Sequence, residues 1–319
     1  MMNVIITEFM DAPAVAALKS KFNTTYDETL VDHRAEMLAG LAECDALIVR
    51  NRTQVNAEVL SHAPKLKVVG RLGVGLDNID VAACKARGVE VIPATGANAL
   101  AVAEYVIGTA MLLLRGAYQS SAAVGEGKWP RGPLSNGRET AGKTMGIVGF
   151  GGIGQLTAKL AQGLGMLTVA HDPMIADDAT LWNAHNTKCM TLDELLATSD
   201  VVTLHVPLLD ATRNLINATR LAAMKSDAIL INTARGGIVE EAALAAALKA
   251  HKLGGAALDV FDEEPLKAGS PLADCPNLIL TPHIAGVTKE ANTRVSSLIA
   301  DRVADFLQNA RSSLRPERR

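Results

Sequence analysis

Residues 146–172, GIVGFGGIGQLTAKLAQGLGMLTVAHD, constrain this chain more than any other stretch of its 319 residues. An apolar run ending at Val148 leads straight into Gly149, Gly151 and Gly154, the G-x-G-x-x-G spacing. The first glycine permits a tight turn, the second lets a pyrophosphate approach the backbone, and the third lets a helix pack closely on the strand. The helix expected next points its amide N–H groups and positive dipole end at the phosphates. A second apolar run, Met166-Leu167-Thr168-Val169-Ala170, ends near Asp172, 18 residues beyond Gly154. A carboxylate there accepts both ribose hydroxyls of an adenosine and repels a 2′-phosphate, so NAD is favoured over NADP.

The rest of the chain is consistent with a soluble α/β protein carrying that unit. Its length suits two domains, each with its own core. Hydrophobic residues make up 49% and charged ones 20%, a globular balance. A formal net charge of −3 gives no reason to expect nucleic acid or an anionic membrane as partner. Cys44, Cys84, Cys189 and Cys275 are scattered, with no C-x-x-C or Cys/His cluster, so neither a disulfide framework nor a metal site is indicated. Reduced thiols and the absence of a basic, cleavable N-terminal segment lead to the expectation of a cytoplasmic protein. The longest apolar stretch, 99–114, is interrupted by Glu104 and too short for a membrane span, so it reads as a buried helix.

Strand-like runs at 4–7, 46–49, 67–70 and 89–92 alternate with helical patterns at 12–21, 34–41 and 81–87, which argues for a parallel sheet. The segment 73–80 holds a rival G-x-G, but Asn78 stands where the third glycine should be. It reads as a turn whose backbone faces something small. A Gly/Pro-rich connection follows at 125–142. Six strands are then expected, at 145–148, 167–170, 201–204, 228–231, 255–258 and 278–280, with an alanine-rich helix at 240–251. The last helical pattern, 289 to about 309, is not needed by that second series and is expected to return to the first domain. The fold class expected is α/β, with two doubly wound parallel-sheet domains. A cofactor domain spans 99–286, and a smaller, discontinuous, flavodoxin-like substrate domain spans 1–98 and 287–319. The basic tail 311–319 is read as a solvated end.

Three segments place chemically useful groups just past expected strands: Asn232-Thr233-Ala234-Arg235-Gly236-Gly237, Asp262-Glu263-Glu264-Pro265 and Thr281-Pro282-His283-Ile284-Ala285-Gly286. Taken singly, each has an ordinary structural explanation: a capping arginine, a solvated glutamate, a packed loop histidine. Together they lie on the edge where a dinucleotide should lie.

With these segments the chain resembles the D-2-hydroxyacid dehydrogenases, and among them the phosphoglycerate dehydrogenases. The resemblance also rests on Ile48-Val49-Arg50-Asn51-Arg52-Thr53, on 70–80 and on His205-Val206-Pro207-Leu208. It implies a Rossmann cofactor domain, a cleft between the domains and a homodimer built around the cofactor domain. Arg235, Glu264 and His283 become the implied catalytic set. Implied cofactor contacts are Gly149, Gly151, Gly152, Ile153 and Gly154 of the turn, then Asp172, Val206, Pro207, Thr212, Thr233, Ala234, Asp259 and Gly286. Val74 and Gly75 would offer backbone amides to a substrate carboxylate. Gly152 stands where relatives usually carry arginine, which removes one charge contact to the pyrophosphate, and Ala101 replaces a frequent serine.

Histidine suits a two-way proton carrier because its unperturbed pKa of about 6.5 lies near working pH. In this reading His283 exchanges the hydroxyl proton, Glu264 holds its other ring nitrogen, and Arg235 forks onto the carboxylate and the C2 oxygen. Glu264 argues against the similar formate dehydrogenases, which have glutamine there and no hydroxyl proton to remove. Arg50-Asn51-Arg52-Thr53 is similar to the Arg-x-Arg-Thr segment that holds the far phosphate in phosphoglycerate dehydrogenases, and Arg71 follows another strand of the same domain. The expected substrate is therefore a 2-hydroxy acid with a second anion at C3, either 3-phosphoglycerate or (S)-sulfolactate. No regulatory domain of the kind appended to many serine-pathway relatives is expected in this length. Hydroxypyruvate or glyoxylate reduction is the alternative reaction, and an NAD-sensing corepressor-like module the alternative of another class.

Overall fold

The computed structural model describes residues 1–313. The chain forms two compact units, Met1–Asn98 with Val287–Arg319, and Ala99–Gly286. Of the expected solvated tail, 311–313 close the last helix, Lys289–Ser313, and 314–319 lie outside the described residues.

The first unit is built on β1 (Asn3–Ile6), β2 (Asn23–Tyr26), β3 (Ala46–Val49), β4 (Val68–Arg71) and β5 (Glu90–Pro93). Their order is β2-β1-β3-β4-β5, and every pairing is parallel. This is the flavodoxin-like arrangement. β3 reads Ala-Leu-Ile-Val and is buried at every residue, as a central parallel strand covered on both faces must be. One face packs on Met37, Leu41, Val59 and Leu60. The other takes the Lys289–Ser313 helix, whose Val295, Ile299, Val303 and Leu307 recur every fourth residue against Val4, Ile6, Ile48 and Val68. Gly70 lets that helix approach: a Cβ there would stand 2.8 Å from Ile299 and 2.9 Å from Val303. β2 (Asn-Thr-Thr-Tyr) and the Ala57–His62 helix carry too little apolar pattern to be seen in the sequence.

The second unit holds β6 (Thr144–Val148), β7 (Leu167–His171), β8 (Lys188–Cys189), β9 (Val201–Leu204), β10 (Ile229–Asn232), β11 (Gly255–Leu258) and β12 (Leu278–Leu280). These form a seven-stranded sheet, where six strands were expected, in the order β12-β11-β10-β9-β6-β7-β8. The addition is the two-residue edge strand β8, too short to leave a periodic signal. All pairings are parallel, and the order reverses at β6, between β7 and β9. Such a switch point opens a crevice at the C-terminal strand ends, where α/β sheets bind ligands. The Ala99–Arg115 helix buries Val106, Ala110, Leu113 and Leu114 against Met145, Ile147, Ile229 and Ile231. Among the described residues no helix is long and apolar enough to cross a membrane.

Candidate active site

The glycine turn joins β6 to the Gly152–Gly163 helix at the switch point, with Gly151 as the N-cap. Gly149 sits at φ 91°, in the region only glycine enters freely, and a Cβ on it would lie 2.5 Å from the His205 carbonyl oxygen. A Cβ on Gly154 would overlap the Gly149 carbonyl, whereas those on Gly151 and Gly152 would meet open space. The turn is therefore closed on the protein side and open where phosphates would approach. Phe150 anchors it from below, fully buried and stacked on Trp182 with ring centroids 5.0 Å apart.

Asp172 follows β7 and faces the same turn. Its Oδ2 accepts from the Phe150 amide at 2.8 Å and its Oδ1 from the Met174 amide at 3.0 Å. Each oxygen keeps a lone pair, so the carboxylate is held in place and remains able to accept ribose hydroxyls. Beyond β9, Thr212 Oγ1 donates to the Pro207 carbonyl at 2.6 Å and accepts from the Leu209 amide at 2.8 Å, which pins the Val206–Pro207 turn. His205 beside it is pushed down to about 4 by burial, so it is neutral at ordinary pH.

Arg235 stands past β10 on a turn clamped by Asn232, which is 1% exposed. Asn232 Oδ1 accepts from the Ala234 amide at 3.0 Å, and its Nδ2 donates to the Arg235 carbonyl at 2.9 Å. No role for Asn232 is legible in the sequence; its place at the end of β10, three residues before Arg235, is the available signal. Thr233 presents a buried hydroxyl with no protein partner. An orphaned buried hydroxyl is costly unless something else satisfies it. With the open turn and Asp172, it makes these residues fit for a dinucleotide.

The loops after β11 and β12 bring the remaining pair together. His283 Nδ1 and Glu264 Oε2 are 2.7 Å apart. A carboxylate can only accept, so Nδ1 carries a proton, and in the neutral ring Nε2 keeps its lone pair. Glu264 is itself fixed by the Phe261 amide, 3.1 Å from Oε1. The imidazole is 48% exposed and the glutamate side chain 36%, so the pair is reachable. His283 lies at φ 56°, an unusual backbone state for a residue with a side chain. The Arg235 loop adjoins the Glu264 loop: a Cβ on Gly236 would overlap the Phe261 carbonyl, and the Gly237 amide donates to Asp262 Oδ1 at 2.6 Å. Asp259, expected beside the cofactor, is 1% exposed and turns both oxygens to the His283 loop.

In the first unit the Arg50–Thr53 loop wraps a buried carboxylate that sequence reasoning missed. Glu8, 4% exposed, accepts from the amides of Arg50 (2.9 Å), Asn51 (3.3 Å), Arg52 (3.0 Å) and Thr53 (2.9 Å). Burial alone would raise its carboxyl, but the amides of Thr53, Arg50 and Arg52 outweigh that and hold it below the usual range. Asn78, the residue that spoils the rival glycine motif, donates to the Thr53 carbonyl at 2.7 Å and so closes the loop from the other side. The arginines have protein partners: Arg52 forks onto Asp32, and Arg50 reaches Asn292 at 3.0 Å. Arg71 folds back to the Leu72 carbonyl at 3.0 Å. Val74 is 38% exposed and Gly75 half-buried beside it.

A glycine turn at a switch point, an acid after the second strand, and a His–Glu pair with an arginine on the neighbouring loop define a nicotinamide-dependent dehydrogenase. Residues 107–285 match the family described as D-isomer specific 2-hydroxyacid dehydrogenase, NAD binding domain. The chain is 53% identical over 303 residues to the (S)-sulfolactate dehydrogenase of Chromohalobacter salexigens, covering 95% of this chain and 97% of that one. It is 40% identical over 273 residues to the D-3-phosphoglycerate dehydrogenase of Archaeoglobus fulgidus, covering 86% of this chain and 51% of that longer one. It thus spans about half the length of that relative. The solved D-lactate dehydrogenase of Aquifex aeolicus, complexed with NAD and lactic acid, superimposes with a TM-score of 0.79. The two are 28% identical, over 98% of this chain and 97% of that one. The chain belongs to the D-2-hydroxyacid dehydrogenase family, with NAD as its cofactor.

Proposed function

We propose that this dehydrogenase acts at C2 of a 2-hydroxy acid bearing a second anion at C3, with (S)-sulfolactate the first candidate and 3-phosphoglycerate the second. The reading of the reaction is carried by the His283–Glu264 pair, 2.7 Å apart on loops that adjoin the Arg235 turn. The reading of the substrate is supported by the 53% identity to the (S)-sulfolactate dehydrogenase. Glycolate-type acids have nothing at C3 for the arginines of the Arg50–Thr53 loop to hold.

NAD, once held there, would supply the hydride acceptor for C2 in oxidation and the hydride donor in reduction. In oxidation His283 Nε2 takes the hydroxyl proton, because Nδ1 is already committed to Glu264. In reduction the same atom returns it to the developing alkoxide. Glu264 stabilises the imidazolium between these events and keeps the ring from flipping. Arg235 grips the carboxylate and polarises the C2 oxygen. The turn from Gly149 to Gly154, with Ile153, would hold the pyrophosphate and Asp172 the ribose. Val206, Pro207, Thr212, Thr233, Ala234 and Gly286 would line the remainder. From the first unit, Val74 and Gly75 amides would meet the carboxylate, and Asn51 and Arg52 the C3 anion. A second copy of the chain is the proposed partner, because Met111, Tyr118, Val124 and Trp129 leave apolar surface on the second unit 43–79% exposed.

The deciding assay is NADH formation with (S)-sulfolactate and 3-phosphoglycerate beside D-lactate and D-glycerate, repeated with Arg52→Ala. The expected result is preference for a C3-anionic acid, lost in the variant. Wild-type turnover of D-lactate that equals or exceeds that of both C3-anionic acids overturns the substrate assignment.

A further inference from the structure

Asp259, at the end of β11, holds both sides of His283. Its Oδ1 accepts from the Thr281 hydroxyl at 2.6 Å and the Ile284 amide at 2.8 Å, and its Oδ2 from the Ala285 amide at 2.8 Å. The residues before and after the histidine are thereby tied to one buried, immobile group. That tie accompanies the φ of 56° at His283, a backbone state that persists only where the surroundings impose it.

A further link extends this clamp. The Tyr105 hydroxyl lies 2.6 Å from Thr281 Oγ1. An ionised Asp259 can only accept, so the single Thr281 proton goes to Asp259, and Tyr105 must donate to the Thr281 oxygen. Burial pushes the Tyr105 phenol up despite the Thr281 bond, and nearby Asp259 adds to the rise, so the phenol keeps the proton this direction requires. Tyr105 stands on the Ala99–Arg115 helix, 176 residues from Thr281 in sequence. Neither side chain has a place in the hydride or proton steps.

We propose that Tyr105 and Thr281 are positioning residues, whose chain of hydrogen bonds through Asp259 sets the His283 loop and so places the imidazole against Glu264 and the substrate. The proposal rests on His283 being the acid–base group. A displacement of about 1 Å in such a group costs on the order of 10²-fold in rate.

The test uses full-length Thr281→Val, Thr281→Ser and Tyr105→Phe, with melting temperatures to establish folding. Hydrogen exchange at the Ile284 and Ala285 amides should rise on the order of tenfold in Thr281→Val, rise less in Tyr105→Phe, and stay near wild type in Thr281→Ser. With (S)-sulfolactate or 3-phosphoglycerate, whichever turns over, kcat should fall roughly 10- to 100-fold in Thr281→Val while the KM for NAD holds. Serine should restore it, and adding Tyr105→Phe to Thr281→Val should cost little more, because both break one chain. Unchanged exchange in Thr281→Val overturns the proposal, as does raised exchange with full kcat, or a serine variant as impaired as the valine. If the wild type turns over none of these acids, the function proposed above fails. The exchange pattern then still decides whether the chain holds the loop.

Discussion

Two loops, one in each unit, are built on the same device and serve opposite ends of the problem. The Arg50–Thr53 loop wraps Glu8, and the Thr281–Gly286 loop wraps Asp259; each carboxylate is at most 4% exposed and accepts backbone N–H groups from the loop around it. A buried carboxylate is costly unless its lone pairs are filled, and here the loop fills them, so neither can relax without leaving a charge unpaired. The difference lies in the side chains displayed. His283 meets Glu264, which would orient it for the proposed proton transfer, whereas Arg52 meets Asp32, which would compete for the charge an anionic substrate needs. One loop is preformed; the other is preformed in its backbone and self-paired at its tip.

The largest expected effect is on the histidine loop. His283→Ala should lower kcat about 10²–10⁴-fold, while Arg52→Ala should leave turnover of D-lactate intact. Parallel steady-state kinetics on both variants would sharpen the division of labour, and comparable kcat losses would break it.

Next comes the template itself. Glu8→Ala leaves four backbone N–H groups without their acceptor. It should destabilise the first unit by about 3 kcal/mol or more, read by urea unfolding. A loss below about 1 kcal/mol would mean that water replaces the carboxylate and that the loop is not templated by it.

Acid should separate the two units. Glu8 has a lowered folded-state pKa, so the unfolded chain takes up its proton first; that stability is present above the ordinary 4.5 and is lost as pH falls below it. His205 in the second unit is likewise lowered, to about 4. Its unfolded form binds a proton from about pH 6.5 downward, so its loss occupies the window from 6.5 to about 4 and totals at most about 3 kcal/mol. Unfolding curves between pH 7 and 4 should flatten in His205→Gln and not in Glu8→Gln.

The smallest effect concerns the tip. Asp32→Asn removes the charge paired with Arg52. Both side chains are more than half exposed, so water and salt screen the pair and it adds little to stability. The same change should lower the KM for a C3-anionic acid severalfold, leaving D-lactate unaffected. A raised KM would show that Asp32 aims Arg52 rather than competing with it.

Legibility followed locality. Buried parallel strands such as Ala46–Val49 and Val201–Leu204 announce themselves as continuous apolar runs, and the glycine turn by its spacing. The edge strands β2 and β8 did not, because a strand paired on one side needs little apolar surface. Glu264 and His283 were legible as candidates by position past a strand, and only the fold shows them in contact.

Glu8 left no mark on the sequence for a different reason. Its partners are backbone amides, and every residue but proline offers one. The sequence alone determined where the chain must turn around a pyrophosphate, which runs are buried, and which acid, arginine and histidine follow the strands. Those features are set by steric and hydrophobic periodicity within a few residues. Tertiary structure decided that Glu8 and Asp259 are templates, that Asn232 clamps Arg235, and that Tyr105 reaches Thr281. Each of these depends on bringing one side chain to groups far along the chain, and no local pattern encodes that distance.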